Sequence, residues 1–209
     1  MKVQRVFLWP RGVNTAVYRP ERATSRLRPR ASQAGGLVVG YVHRGMRGTQ
    51  FRIPPRLSGA SDMRFVAIGA QNDGELPDVL ASLDAFLDLS THGDSGEELL
   101  AAMASGVPVV APGIGEARDV VTHGRTGWLC APGDAAELTY RLRLLAQAPA
   151  LRAHMGGRAR NAALDRDWFL MCERFLDHCG DLVGAPGAIF GPGGMTTTFE
   201  AWDSDAVGV

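Results

Sequence analysis

Five short apolar runs, spaced along the chain and divided by turns or helical stripes, constrain the fold more than any other feature. They read "LVVGYV" from residue 37, "MRFVAIG" from 63, "AFLDLS" from 85, "VPVVAP" from 107 and "GWLCAP" from 127. Each is apolar at successive positions, the pattern of a strand buried on both faces of a parallel sheet. The intervening segments carry the helical period. Leu76, Val79, Leu80 and Leu83 share one face, Leu99, Leu100 and Met103 another, and "GEARDVV" makes a short helix. After the last run, Leu138, Leu142 and Leu145 form a stripe, Pro149 interrupts it, and "ALRAHMGGRARNAA" resumes. "RDWFLMCERFLDHCGDL" closes the series with Phe169, Cys172, Phe175 and Leu176 at core spacing, so Trp168 and Phe169 are read as core residues. Strand and helix in alternation predict an α/β, doubly wound parallel sheet. The domain is expected over residues 36–182, with a basic, linker-like arm at 1–35 and a disordered Gly/Pro-rich tail at 183–209.

With 209 residues and 45% hydrophobic content, the chain suffices for one core. No run reaches the roughly 18 to 20 apolar residues of a spanning helix. The start "MKVQRVFLWPRG" lacks the apolar stretch and cleavage site of a secretory signal, so a cytoplasmic location is expected. Cys130, Cys172 and Cys179 show no metal spacing, and neither a metal nor a disulfide is expected. Net charge is zero but unevenly placed. Of the 22 Lys and Arg residues, twelve lie in residues 1–60, against Glu21 alone among the acids. Such an arm suits nucleic acid or peripheral contact with an anionic membrane surface, or else folds on the acidic remainder or stays a partly disordered, solvated segment. No nucleic-acid-binding motif accompanies the arginines, so nucleic acid is not expected as a partner. Lys2 is the sole lysine. Cationic contacts beyond it must therefore come from arginine, which meets phosphate as a planar fork.

The stretch "DSGEELLAAMASG", residues 94–106, begins with the pattern of a capping box, in which the Ser95 hydroxyl takes an amide three residues on and Glu98 reaches back. A helix start beside a parallel sheet is also an anion site, because its free N–H groups and dipole favour negative charge. Glu97 and Glu98 in the first turn serve the cap and oppose a phosphate.

Several segments together resemble the nucleotide-sugar domain of the GT-B glycosyltransferases, family 4, most of all the actinobacterial GDP-mannose-dependent α-mannosyltransferases. They are "LPDVLASLDAFLDLS", "LLAAMASGVPVVAPGIGEARDVVTHGRTGWLCAPGD", "LRAHMGGRAR" and "DRDWFLMCERFLDHC", preceded by "VQRVFLWPRGVNTAVYRP" and "LVVGYVHR". The resemblance implies a single, shortened Rossmann-like GT-B C-terminal domain and retaining transfer of a sugar, such as mannose, from a GDP- or UDP-linked donor. It implies no cofactor and no obligatory metal. By the same resemblance Arg44 meets the diphosphate, Gly96 is the loop glycine whose neighbouring amides approach donor oxygens, and Asp119 is the acidic residue after the "GG" turn. That turn reads "GE" here, with Glu116. The family's acidic pair falls on Gly93 and Ala101, so both carboxylates are absent, and its lysine falls on Thr49. Glu97 lies one turn before Ala101 and stands in for the lost ribose contact or serves only the cap.

Two departures bear on activity. The resemblance begins at the family's linker, so its acceptor domain and catalytic residues have no counterpart, and no catalytic residue is assigned. Between Arg44 and Leu76 the chain is shorter than the family pattern by about one βα unit. Three readings of function follow: a working glycosyltransferase acting with a separately encoded acceptor domain, an inactive donor-domain relic that binds a nucleotide or a partner, or a truncated gene product whose remaining elements fold only marginally.

Overall fold

The computed structural model describes residues 9–24, 36–42, 63–68, 74–90 and 95–182, with side chains to residue 179. The chain forms two compact units, Met1–Met171 and Cys172–Val209. The first holds the sheet. Its strands are β1 (Leu37–Val42), β2 (Met63–Ala67), β3 (Ala85–Asp88), β4 (Val109–Pro112) and β5 (Gly127–Cys130), one for each of the five apolar runs. All pair in parallel, in the order β2-β1-β3-β4-β5. The α/β doubly wound class is thus the observed one.

Helices cover both faces. They are α1 (Leu76–Ala81), α2 (Gly96–Ala104), α3 (Ala117–Val120), α4 (Ala135–Gln147) and α5 (Pro149–Leu164); a further helix, α6 (Trp168–Leu182), follows them in the chain. Strand alternation sends Val38, Phe86 and Val109 to one face, where they pack with Leu80, Leu99, Met103 and Ala159. Leu37, Val39, Leu87 and Val110 go to the other and meet Leu142, Leu145 and Met155. Asp134 starts α4 by accepting from the amides of Ala136 at 3.0 Å and Glu137 at 2.9 Å. Pro149 sits in the first turn of α5, where a missing N–H does no harm. Cys130 lies under this second face. Burial, with the Glu137 carboxylate nearby, pushes its thiol up to about 12, so it stays protonated at neutral pH.

Residues 9–24, assigned from sequence to an arm ahead of the domain, pack onto it. Val13 is buried in the first core, its N–H donates to Arg166 O at 2.9 Å, and its carbonyl accepts from Trp168 N at 3.0 Å. Asp167 fixes the same junction, accepting from Thr15 Oγ1 at 2.5 Å, Thr15 N at 3.1 Å and Phe169 N at 2.9 Å. Burial pushes the Asp167 carboxyl up, but the Thr15 hydroxyl, the Phe169 and Thr15 amides and the positive Arg160 outweigh it and hold it below its ordinary value. A carboxyl with a lowered folded pKa contributes stability that is present above the unfolded value of about 3.9 and lost as pH falls through the folded one. Urea unfolding from pH 6 down to pH 2.5 is expected to show an acid-side loss that Asp167→Asn reduces. An unchanged acid slope in the variant would remove Asp167 from this role.

The start of α6 departs from its expected burial. Met171 is buried, whereas Trp168 and Phe169 are 57% and 54% exposed, and Cys172 and Phe175 of the expected stripe are exposed as well. Backbone bonds to Val13 and capping by Asp167 hold this helix start, not aromatic burial.

Candidate functional site

The strand order reverses between β1 and β3. From β1 the chain goes on to β2 and from β3 to β4, one on each side, and such a switch point is where an open α/β sheet has its ligand crevice, at the strands' C-terminal ends. Val42 and Asp88 are register partners at this point, and Leu89 N donates to Val42 O at 3.0 Å. Arg44 follows β1 by two residues and lies outside the described residues, as does Gly93.

Asp88, fully buried at the end of β3, organises the loop that leads into α2. Its Oδ1 accepts from Ser90 N at 2.7 Å, and its Oδ2 accepts from Ser90 Oγ at 3.1 Å and from Ser95 Oγ. A buried carboxylate needs such donors. The Ser95 hydroxyl is therefore taken by Asp88 and caps nothing, so the expected capping box is not formed. The first helical bond of α2 runs from Leu99 N to Ser95 O at 3.0 Å.

What meets the free end of α2 is a carboxylate from another loop. Gly96 N donates to Glu116 Oε2 at 3.0 Å, and Glu116 Oε1 accepts from Arg11 Nε at 2.7 Å. A Cβ at position 96 would stand 2.5 Å from Glu116 Oε2 and 2.9 Å from Glu116 Cβ, so any larger residue there would push the Glu116 side chain aside. A cleft of about 280 Å³ adjoins, lined by Trp9, Arg11, Glu116, Asp119 and Arg166 among others. Asp119 is exposed, and its carbonyl accepts from Arg166 Nη2. Glu97 is exposed on the first turn of α2, while Ala101, one turn on, is buried in the core.

The structure thus brings Gly96 and the "GE" turn together through Glu116, places Asp119 on the adjoining cleft and leaves Glu97 pointing to solvent. Sequence reasoning missed Asp88 and Arg11. Asp88 carried a signal, an acid closing an otherwise apolar strand at the end where α/β sheets bind ligands. Among the described residues no three of His, Cys, Asp and Glu converge to hold a metal ion, and no helix is long and apolar enough to cross a membrane.

Residues 62–162 match the family model described as "Glycosyl transferases group 1". A GDP-mannose-dependent alpha-mannosyltransferase of Mycobacterium tuberculosis is 30% identical over 196 residues, covering 84% of this chain and 51% of the relative. The chain spans about half the length of such relatives. Among solved structures, Anabaena HepE in complex with UDP and glucose is 22% identical with a TM-score of 0.63, covering 81% of this chain and 55% of that one. The C-terminal domain of a glycosyl transferase group 1 protein from Francisella tularensis, 20% identical with a TM-score of 0.59, is covered over 98% of its length by 74% of this chain. The parallel sheet and the family match agree: the chain carries a glycosyl transferases group 1 domain, with GDP-mannose-dependent α-mannosyltransferases among its homologues.

Proposed function

We propose that this chain is the donor-binding part of a retaining glycosyltransferase. A GDP- or UDP-linked sugar, mannose for the GDP donor, lies in the crevice between β1 and β3, with Arg44 on one side and the start of α2 at Gly96 on the other. The strand order carries the reading, since its reversal brings the loop after β1 and the N-terminus of α2 to the same end of the sheet. The mannosyltransferase relatives and the UDP complex of HepE support the donor class. Arg44 offsets diphosphate charge, and Asp119 contributes a polar wall to the cleft it lines with Arg11 and Glu116. Glu97, exposed and one turn ahead of Ala101, reaches the ribose only if the donor extends along the outer side of α2. The acceptor half and the catalytic group come from another polypeptide or another part of a longer one, and the basic segment 1–60 favours approach to an anionic membrane surface.

A second reading has its own observation. Ala101 is a buried core residue where the resemblance places a carboxylate, so this end of α2 is built as packing surface. That favours a nucleotide- or partner-binding module without catalysis.

Calorimetry with GDP-mannose and UDP-glucose separates these readings. Donor binding is expected to weaken at least tenfold in Arg44→Ala, since losing a charged contact typically costs about 2 kcal/mol or more. Transfer to an acceptor when the acceptor-domain protein is added supports the enzyme, and binding without transfer supports the module. Equal affinity in wild type and variant removes Arg44 from the site, and no binding of either donor overturns the donor reading.

A further inference from the structure

The cleft of about 280 Å³ between residues 9–11, helix α3 and Arg166 combines an exposed indole with two cations and two carboxylates. Trp9, on its wall, is 44% exposed, and Val120 adds an apolar side chain. Arg11 and Arg166 are matched by Glu116 and Asp119, so the lining carries no net charge. Arg11 is already committed, since its Nε and Nη2 both stand 2.7 Å from Glu116 Oε1. The other pair is open to a ligand. Arg166 donates from Nη2 to the Asp119 carbonyl and keeps its remaining N–H groups, and among the described residues nothing donates to the Asp119 carboxylate. We propose that this cleft is a binding site for one pyranose ring of a neutral saccharide that is not joined to a nucleotide.

The lining matches such a ring in three ways. The C–H face of a pyranose is apolar and broad enough to lie on an indole, which offers an apolar body at a wet surface. Sugar hydroxyls both donate and accept, so adjacent ones can give to the Asp119 carboxylate, which only accepts, and take from the Arg166 guanidinium, which only donates. The ring is also uncharged, and a lining whose charges cancel has no surplus cation to attract a phosphate. Size agrees. Ligand pockets run upward from about 300 Å³, so the cleft has room for a sugar ring and little for a nucleotide. Its walls are held before any ligand arrives, because Val13 N, two residues beyond Arg11, donates to Arg166 O at 2.9 Å and ties one wall to the other.

This site goes beyond the donor reading and does not depend on it. The saccharide is a second ligand, recognised by side chains of residues 9–11, α3 and Arg166 and not by Arg44.

The test is an NMR titration of the isotopically labelled full chain with methyl α-mannoside, mannobiose and maltose, following the Trp9 indole N–H. At least one of the three is expected to bind saturably and to shift that signal together with the amides of Arg11 and Asp119. Trp9→Ala and Asp119→Ala are each expected to weaken binding about tenfold. Trp9→Phe, which keeps an aromatic face, should recover most of the loss. Asp119 is exposed, so its truncation spares the fold and keeps the test intact should Trp9→Ala fail to fold. No saturable shift with any of the three sugars, or an affinity indifferent to both truncations, overturns the proposal. Displacement of the saccharide by GDP does so too, since the cleft is then part of the nucleotide's site. Saccharide binding by a chain that takes up neither GDP-mannose nor UDP-glucose would sink the donor reading and leave this site standing. Donor binding without a saccharide response does the reverse.

Discussion

Gly156→Ala will lower the unfolding free energy by about 3 kcal/mol, the upper range for forcing a methyl into a closed contact. A Cβ at position 156 would stand 2.2 Å from Gly106 O and 3.2 Å from Gly106 C, and both are backbone atoms with no rotamer to escape into. Gly106 is itself held. Its φ of +77° closes the turn between α2 and β4, with Gly106 N bonded to Met103 O at 2.9 Å and Val107 N to Ala102 O at 3.1 Å. Helix α5 has to move instead, and with it the buried Met155, Ala159 and Ala163. Gly157, the next residue on the same helix, has nothing within 4 Å of a built Cβ. Gly157→Ala is therefore expected to stabilise by about 0.5 to 1 kcal/mol through reduced unfolded-state freedom. Urea denaturation of the two variants should give midpoint shifts of opposite sign. Two increases would show that α5 and the turn at Gly106 are not in contact at this distance.

Arg160→Met has a comparable effect by a different route. Arg160 Nη1 donates to Tyr18 O at 2.8 Å, Ala104 O at 2.7 Å and Thr15 O at 3.3 Å, and Nη2 donates to Thr15 O at 3.2 Å. One planar cation thus ties the segment around residues 15–18 to the C-terminal end of α2. Removing it strands carbonyls that are partly shielded from water, and we expect a loss of about 3 kcal/mol, since charged hydrogen bonds contribute about 1.5 to 3 kcal/mol each and do not add fully. Lysine should recover little, because a single ammonium does not reproduce the fork. Hydrogen exchange at Val17 and Tyr18 gives a local readout, with faster exchange expected in the variant. Wild-type stability together with wild-type exchange would refute the clasp.

The strands were legible because an apolar run flanked by turns specifies a buried parallel strand almost by itself, and all five stand where "LVVGYV", "RFVAIG", "AFLDL", "PVVAP" and "GWLCA" put them. The polar details were not, because each depends on a partner distant in sequence. Ser95 has the local pattern of a cap, yet Asp88 of the preceding strand takes its hydroxyl. Glu116 looked like a substituted turn glycine, and its meaning rests on Gly96 and on Arg11, 105 residues away. Trp168 and Phe169 have core periodicity, but periodicity marks a face without saying what covers it.

The backbone pairing of Val13 with Arg166 and Trp168 has a mechanical consequence. The path into the sheet-bearing unit and the path out of it run side by side at one corner. Any polypeptide joined ahead of Trp9 or beyond the start of α6 is anchored at that same corner.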